Sequence, residues 1–107
     1  MTAKPVNERR RAKQDIQDAV DHYLDEGATA AAYAFLDGLS EAYLLISAHP
    51  AAGSPNYAER FGGPAELRGL ALHGFPYVVF YLEGLDRVDI VRVLHGRRDI
   101  PGLLRGG

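Results

Sequence analysis

Two apolar stripes at helical spacing, separated by a single glycine-centred break, constrain this chain more than any other feature. Over residues 8–26, Ala12, Ile16, Ala19, Val20, Tyr23 and Leu24 recur at helical intervals, and Arg9, Arg10, Arg11, Lys13, Asp15, Asp18 and Asp21 take the other faces. Over residues 28–48, Ala32, Phe35, Leu39, Ala42 and Ile46 make a second stripe, widened by Leu36, Tyr43 and Leu45. Asn7 is the expected N-cap of the first helix, with Glu8 favourable in its first turn. Gly27 ends it as a left-handed stop, and Thr29 or the Gly27–Ala28 link caps the second. His49–Pro50 closes the second helix, because a residue before proline is pushed out of the α region. A link this short forces an antiparallel helical hairpin. Gly38 sits inside the second helix at a cost of ~1 kcal/mol against alanine, which predicts a close backbone approach there.

The hairpin needs a second layer to bury its stripes, and the C-terminal half supplies one. Residues 67–72 alternate, with Leu67, Gly69 and Ala71 on one face and Arg68, Leu70 and Leu72 on the other. Residues 77–82, Tyr-Val-Val-Phe-Tyr-Leu, carry the strongest strand signal in the chain. Residues 88–94 read as a third strand. The turns between them, His73–Gly74–Phe75–Pro76 and Gly84–Leu85–Asp86, are short, so the three strands form an antiparallel meander. Residues 4–7 make a weak first strand, where Pro5 is allowed only at a strand start or on an edge strand. Residues 51–66 form a long loop punctuated by Gly53, Pro55, Gly62, Gly63 and Pro64. The expected fold is α+β: a single domain over residues 1–107, with a helical hairpin on one face of a three- to four-stranded, mainly antiparallel sheet.

Chemistry concentrates where the last strand stops. Residues 87–104 run from a buried-strand pattern into Gly96, Arg97, Arg98, Asp99 and Pro101, which delivers His95 and two arginines to a turn. Adjacent strands are expected to bring Arg68, Arg92 and His95 towards one end of the sheet. A histidine among arginines suits acid/base cleavage of RNA, the arginines stabilising developing phosphorane charge. The same residues admit a structural reading, in which Arg98 pairs with Asp99 and His95 satisfies backbone groups; Arg11 is likewise expected to pair with Asp15. The chain has no cysteine, which excludes disulfides and thiolate chemistry. Its four histidines show no metal-ligand spacing, its serines no nucleophile elbow, and Gly62–Gly63 no phosphate-binding continuation. No metal or cofactor is expected. A net charge of -2 argues against strong non-specific nucleic-acid binding, leaving the Arg9–Lys13 cluster as a local basic patch. No apolar run is long enough to cross a bilayer and the N-terminus is charged early, which predicts no signal peptide and a cytoplasmic location.

The closing segment Val91–Arg92–Val93–Leu94–His95–Gly96–Arg97–Arg98–Asp99–Ile100–Pro101 resembles the last strand and turn of the ParE branch of the RelE/ParE toxin superfamily. Asp15–Ile16 and His22–Tyr23, His49–Pro50 with Gly53–Ser54–Pro55, Leu67–Arg68, and Phe75–Pro76–Tyr77–Val78–Val79–Phe80–Tyr81 extend the resemblance over nearly the whole chain. It implies a strand–helix–helix–three-strand topology and the toxin half of a bacterial type II toxin–antitoxin pair. ParE-like toxins are associated with poisoning DNA gyrase, whereas RelE-like relatives cut mRNA in the ribosomal A site with Lys, Arg and C-terminal Tyr or His residues. This chain has no Tyr after Tyr81 and no Lys after Lys13, so that set is not reproduced.

The resemblance therefore implies a non-enzymatic gyrase inhibitor with no catalytic residues, silenced by a ParD-like ribbon-helix-helix antitoxin and reaching DNA only through it. The alternatives are a ribosome-dependent endoribonuclease and an antitoxin-binding module without toxicity. His95, Arg97 and Arg98 are the expected toxic surface, since a buried strand positions their backbone. Arg68, Leu70, Leu72, Val79 and Tyr81 are the expected antitoxin contacts, the last four as apolar surface on the sheet face away from the helices.

Overall fold

The computed structural model of the chain describes residues 3–57 and 63–96. In chain order the elements are strand β1 (Val6–Glu8), helices α1 (Arg10–Asp25) and α2 (Thr29–Ala48), a 3₁₀ turn (Pro50–Ala52), and strands β2 (Arg68–Ala71), β3 (Tyr77–Glu83) and β4 (Val88–His95). The sheet order is β1-β4-β3-β2. The meander pairs antiparallel, while β1 lies parallel to β4 through Val6↔Val88, Asn7↔Asp89 and Glu8↔Ile90.

That parallel pairing corrects the expected start of α1. The ladder runs beyond Asn7, and the Arg9 N–H donates to the Ile90 carbonyl at 3.0 Å. Asn7 is thus held in the strand, its amide on Asp89 at 3.2 Å, and the N-cap is Arg9, whose side chain makes no capping bond. The other end of the helix is as expected. Gly27 adopts φ +72°, the Gly27 N–H donates to the Leu24 carbonyl at 3.0 Å, and the Ala28 N–H donates to the Tyr23 carbonyl at 2.8 Å. These two bonds are those of a Schellman stop, which reverses the chain into α2. No side chain caps α2. Its expected stripe is buried in full: Ala32, Phe35, Leu39, Ala42 and Ile46 are all core residues.

Apolar side chains cover both faces of the sheet. On the helix side, Leu72, Tyr77, Val79, Tyr81, Val88, Ile90 and Val93 pack with Ala12, Ala19, Phe35, Leu39, Ala42 and Ile46, and Leu70 lies partly buried against them. On the far side, Leu67, Val78, Phe80 and Leu94 form a smaller cluster backed by Tyr57. The pairing of β3 with β4 shifts between Phe80 and Tyr81, so Phe80 faces Arg92 while Tyr81 faces Ile90. This bulge changes the phase of alternation and lets Val93 join Val88 and Ile90 under the helices.

The expectation that Leu70, Leu72, Val79 and Tyr81 offer apolar surface away from the helices is corrected here. They belong to the helix-side core, and Val79 and Tyr81 are fully buried. The larger apolar set is the one that faces the two helices, because it has two stripes to cover. The expectation for Gly38 is also corrected: a Cβ built there meets nothing within 4 Å, so close packing does not explain this glycine. Close approaches occur instead at Gly53, against the Tyr81 ring, and at Gly69, against the Tyr57 ring. No described helix is long and apolar enough to cross a membrane.

Candidate functional site

The end of β4 delivers His95 as the sequence suggests. His95 pairs with Tyr77 across the ladder, and the two rings meet edge-to-face with centroids 5.6 Å apart. The Gly96 N–H donates to the Pro76 carbonyl at 2.7 Å, which fastens the strand's exit to the turn before β3. His95 is half-buried at this end of the sheet. Arg97 and Arg98 lie outside the described residues.

Arg68 and Arg92 do not join His95. Arg68 pairs with Tyr81, and His95 with Tyr77, four residues further back along β3, so Arg68 and His95 sit at opposite ends of the sheet. The Arg68 guanidinium donates to the Gly53 carbonyl at 2.8 Å. Tyr81 works on the same segment: its hydroxyl accepts from the Gly53 N–H and donates to the Pro50 carbonyl, both at 2.7 Å. Burial pushes the Tyr81 hydroxyl pKa up, and the Gly53 N–H and Arg68 charge offset part of that rise. Arg68 and Tyr81 together anchor the start of the loop after α2.

Arg92 is occupied by α1. Its Nε and Nη2 donate to the Asp15 carboxylate at 2.8 and 2.9 Å, and the Val93 N–H donates to the same carboxylate at 3.0 Å. Both side chains are 12% exposed. Asp15 is therefore spent on β4 and not on the Arg11 expected to pair with it. The bulge brings the Arg92 side chain and the Val93 amide within reach of a single helical carboxylate.

At the start of α1, Arg9 pairs with Asp89, which also receives Asn7 and Arg87. Burial would raise the Asp89 pKa, but the Arg9 and Asn7 hydrogen bonds and the Arg87 and Arg9 charges outweigh it and hold the carboxyl below its usual range. Arg10, Arg11 and Lys13 are exposed. They put a basic patch at a helix N-terminus, where the dipole disfavours cations. Nearby, Tyr43 donates to Glu8 at 2.7 Å; burial first, then this bond and the Glu8 charge, push its pKa far up.

A second surface lies on the outside of the helical hairpin. The outer side of α2 exposes Tyr33, Leu36, Leu44 and Leu45, with Leu44 at 72%. The helix carries Asp37 and Glu41 and no Lys or Arg. Between α2 and β2 runs a groove of about 170 Å³ lined by Gly38, Glu41, Ala42, Leu45, Leu70, Ala71, Leu72 and His73. The signal available in the sequence was that α2 is apolar on more than the stripe it needs for the core. No described cluster of His, Asp and Glu is able to hold a metal ion.

A profile of the family described as the ParE toxin of type II toxin–antitoxin systems, parDE, matches residues 7–100. Among solved structures, the chain resembles one titled "Chromosomal ParDE TA system from P. aeruginosa", with a TM-score of 0.71 and 19% identity over 87% of this chain and 96% of that one. No curated protein sequence matches.

Proposed function

Because the chain belongs to the ParE toxin family of type II toxin–antitoxin systems, we propose that it poisons DNA gyrase in the bacterial cytoplasm and is held silent by a ParD-like ribbon-helix-helix antitoxin. The observation that carries this reading is the dispersal of the acid/base set. Arg68 anchors the loop after α2, Arg92 is bound to Asp15, and His95 stands at the other end of the sheet from Arg68. General acid/base catalysis needs its groups within hydrogen-bond reach of one reacting site. An inhibitor that acts by docking has no such requirement. The expected toxic surface is the exit of β4: His95, with Arg97 and Arg98 following it. For the antitoxin, Arg68 and Leu70 stay accessible as partly exposed contacts, while Leu72, Val79 and Tyr81 support them from the core.

The test is a gyrase supercoiling assay with purified toxin, run beside detection of gyrase–DNA cleavage complexes. Inhibition at stoichiometric toxin with trapped cleavage complexes is expected. Arg97→Ala combined with Arg98→Ala is expected to lose it, with a circular dichroism spectrum matching wild type as the check on folding. Unimpaired supercoiling together with codon-phased mRNA cleavage would overturn the proposal in favour of a ribonuclease.

A further inference from the structure

We infer that Arg9, Arg10, Lys13 and Arg87, gathered where the start of α1 meets the β3–β4 turn, form a contact surface for the phosphate backbone of duplex DNA. This inference rests on the gyrase reading above for the place where toxin and duplex meet. It departs from the expectation that the toxin reaches DNA only through its antitoxin.

The fold makes this patch. Arg9 and Arg87 lie far apart in the chain, and the parallel pairing of β1 with β4 brings them to one carboxylate. Asp89 accepts from the Arg9 Nη2 at 3.1 Å, from the Arg87 Nε at 3.0 Å and from the Asn7 amide at 3.2 Å. Its side chain is 14% exposed, whereas those of Arg9 and Arg87 are 47% and 60% exposed. The Arg9 N–H is also held by the Ile90 carbonyl at 3.0 Å. Two guanidiniums are therefore oriented by one carboxylate anchored on the sheet, and both still face solvent. A single carboxylate neutralises only one of them, which leaves a net positive charge and most of their N–H donors.

Arg10 and Lys13 extend the surface over the first turn of α1. Three residues apart, they are neighbours on the helix surface. Both are exposed, and no ion pair among the described residues takes up either. The carboxylates close by in the chain are mostly engaged elsewhere. Glu8 accepts from the Tyr43 hydroxyl, Asp15 from Arg92, and only Asp86 shares the turn with Arg87. Residues 9–13 and 86–89 hold five cations and two carboxylates, a local charge of +3. The chain as a whole carries -2, so the other residues carry -5. One basic pole on an acidic body orients the molecule towards a polyanion.

The surroundings of the cations select the partner. Protein interfaces are anchored by large apolar side chains at their centre. Of the exposed large apolar residues, four lie on α2, Leu24 lies about three turns beyond Lys13, and Leu85 alone shares the turn with Arg87. A phosphate backbone needs no apolar anchor, since Arg and Lys carry its contacts without reading sequence. Residues 9–14 and 84–88 include no aromatic residue, and stacking on aromatic rings is how single strands are held. Duplex phosphates are thus the polyanion that this surface fits.

The test titrates the purified full-length toxin into a fluorescently labelled, mixed-sequence DNA duplex and follows anisotropy across salt concentrations. Four phosphate contacts predict a slope of log K against log salt of about -3.6. Arg10→Gln combined with Lys13→Gln is expected to reduce that slope by about two and to weaken binding about fiftyfold at ~0.1 M salt. Circular dichroism and melting check its folding. Arg10→Lys combined with Lys13→Arg keeps both charges and is expected to bind as wild type does. The glutamine pair is also expected to need more toxin to trap gyrase–DNA cleavage complexes. A toxin that inhibits gyrase yet binds no duplex, or binds it with a slope that the glutamine pair leaves unchanged, overturns this inference alone. A tighter hold on single-stranded DNA than on the duplex overturns it as well. Antitoxin affinity that falls in the glutamine pair, with duplex binding intact, would assign the cations to an acidic segment of the antitoxin instead. A toxin that binds the duplex as expected but leaves gyrase unimpaired overturns the gyrase reading and leaves the phosphate contact standing.

Discussion

Replacing Asp15 with alanine isolates the contact that fixes α1 on β4. The carboxylate accepts two bonds from Arg92 and one from the Val93 amide, and both charged side chains are only 12% exposed. Removing one partner of a buried pair costs about 3–5 kcal/mol, because the other charge stays where water cannot solvate it well. The residual exposure of both groups places Asp15→Ala near the lower end, about 3 kcal/mol, a large share of the ~5–15 kcal/mol that holds a domain together. For a chain of this length that is roughly 12 °C of melting temperature. The assay is chemical and thermal denaturation of Asp15→Ala, Arg92→Ala and the double variant. The pair is expected to show coupling of about 2 kcal/mol, the double losing much less than the sum of the singles. Additivity within ~0.5 kcal/mol, or an Asp15→Ala melting point within about 4 °C of wild type, would refute the argument. The result bears on function because a growth assay alone cannot separate a loss of stability in Arg92→Ala from a loss of contact with a target, and the denaturation series does.

Four further outcomes are expected. Tyr81→Phe deprives the Gly53 N–H of its 2.7 Å acceptor in a buried site, which is expected to cost about 1–3 kcal/mol in denaturation and to speed exchange of the Gly53 amide. Gly38→Ala, at an open helical position, is expected to gain up to about 1 kcal/mol, and destabilisation would mean that the glycine is needed for packing after all. Asp89 titrates lower when folded, so its contribution is complete above about pH 4 and lost as pH falls through the lowered folded value. Asp89→Asn is therefore expected to flatten the acid limb of a stability–pH curve, and an unchanged limb would refute this. Tyr43 titrates higher when folded, so its contribution holds below about pH 10 and fades above it; Tyr43→Phe is expected to lose that alkaline limb, read by denaturation from pH 8 to 11.

Much of this architecture was legible because it depends on local periodicity. The α2 stripe, the Gly27 stop and the meander with its short turns are each decided within a few residues, and each appears where expected. The start of α1 was misplaced for a non-local reason. Asn7 is a good cap by type, but parallel pairing with β4, more than eighty residues away in the chain, claims it first. Asp15 was likewise offered to Arg11, its neighbour on the helix, and was taken by Arg92 across the fold.

The apolar face of the sheet shows what alternation determines and what it leaves open. Alternation correctly sorted Leu70 and Leu72 from Leu67, and in the structure Tyr77, Val79 and Tyr81 lie on the opposite face of β3 from Val78 and Phe80. It carries phase without sign: nothing within a strand says which of its faces meets the helices. The sign follows from quantity. Two helices present Ala12, Ala19, Phe35, Leu39, Ala42 and Ile46, and only the face bearing Leu72, Tyr77, Val79, Tyr81 and, beyond the bulge, Val93 has enough bulk to fill the space between. The far face carries a smaller set, Leu67, Val78, Phe80 and Leu94, with Tyr57, Leu82 and Val91 packed against it. With both faces closed, a partner is left with the edges and the outer side of the hairpin. Those are the places where the chain departs from its own local rules: a glycine in the middle of a helix, leucines turned to solvent, and cations gathered at a helix start. The glycine costs about 1 kcal/mol of helix propensity and meets no neighbour that offsets it, whereas Arg9 at the helix start is compensated within the monomer by Asp89, so the mid-helix glycine is the departure that the fold itself leaves unexplained.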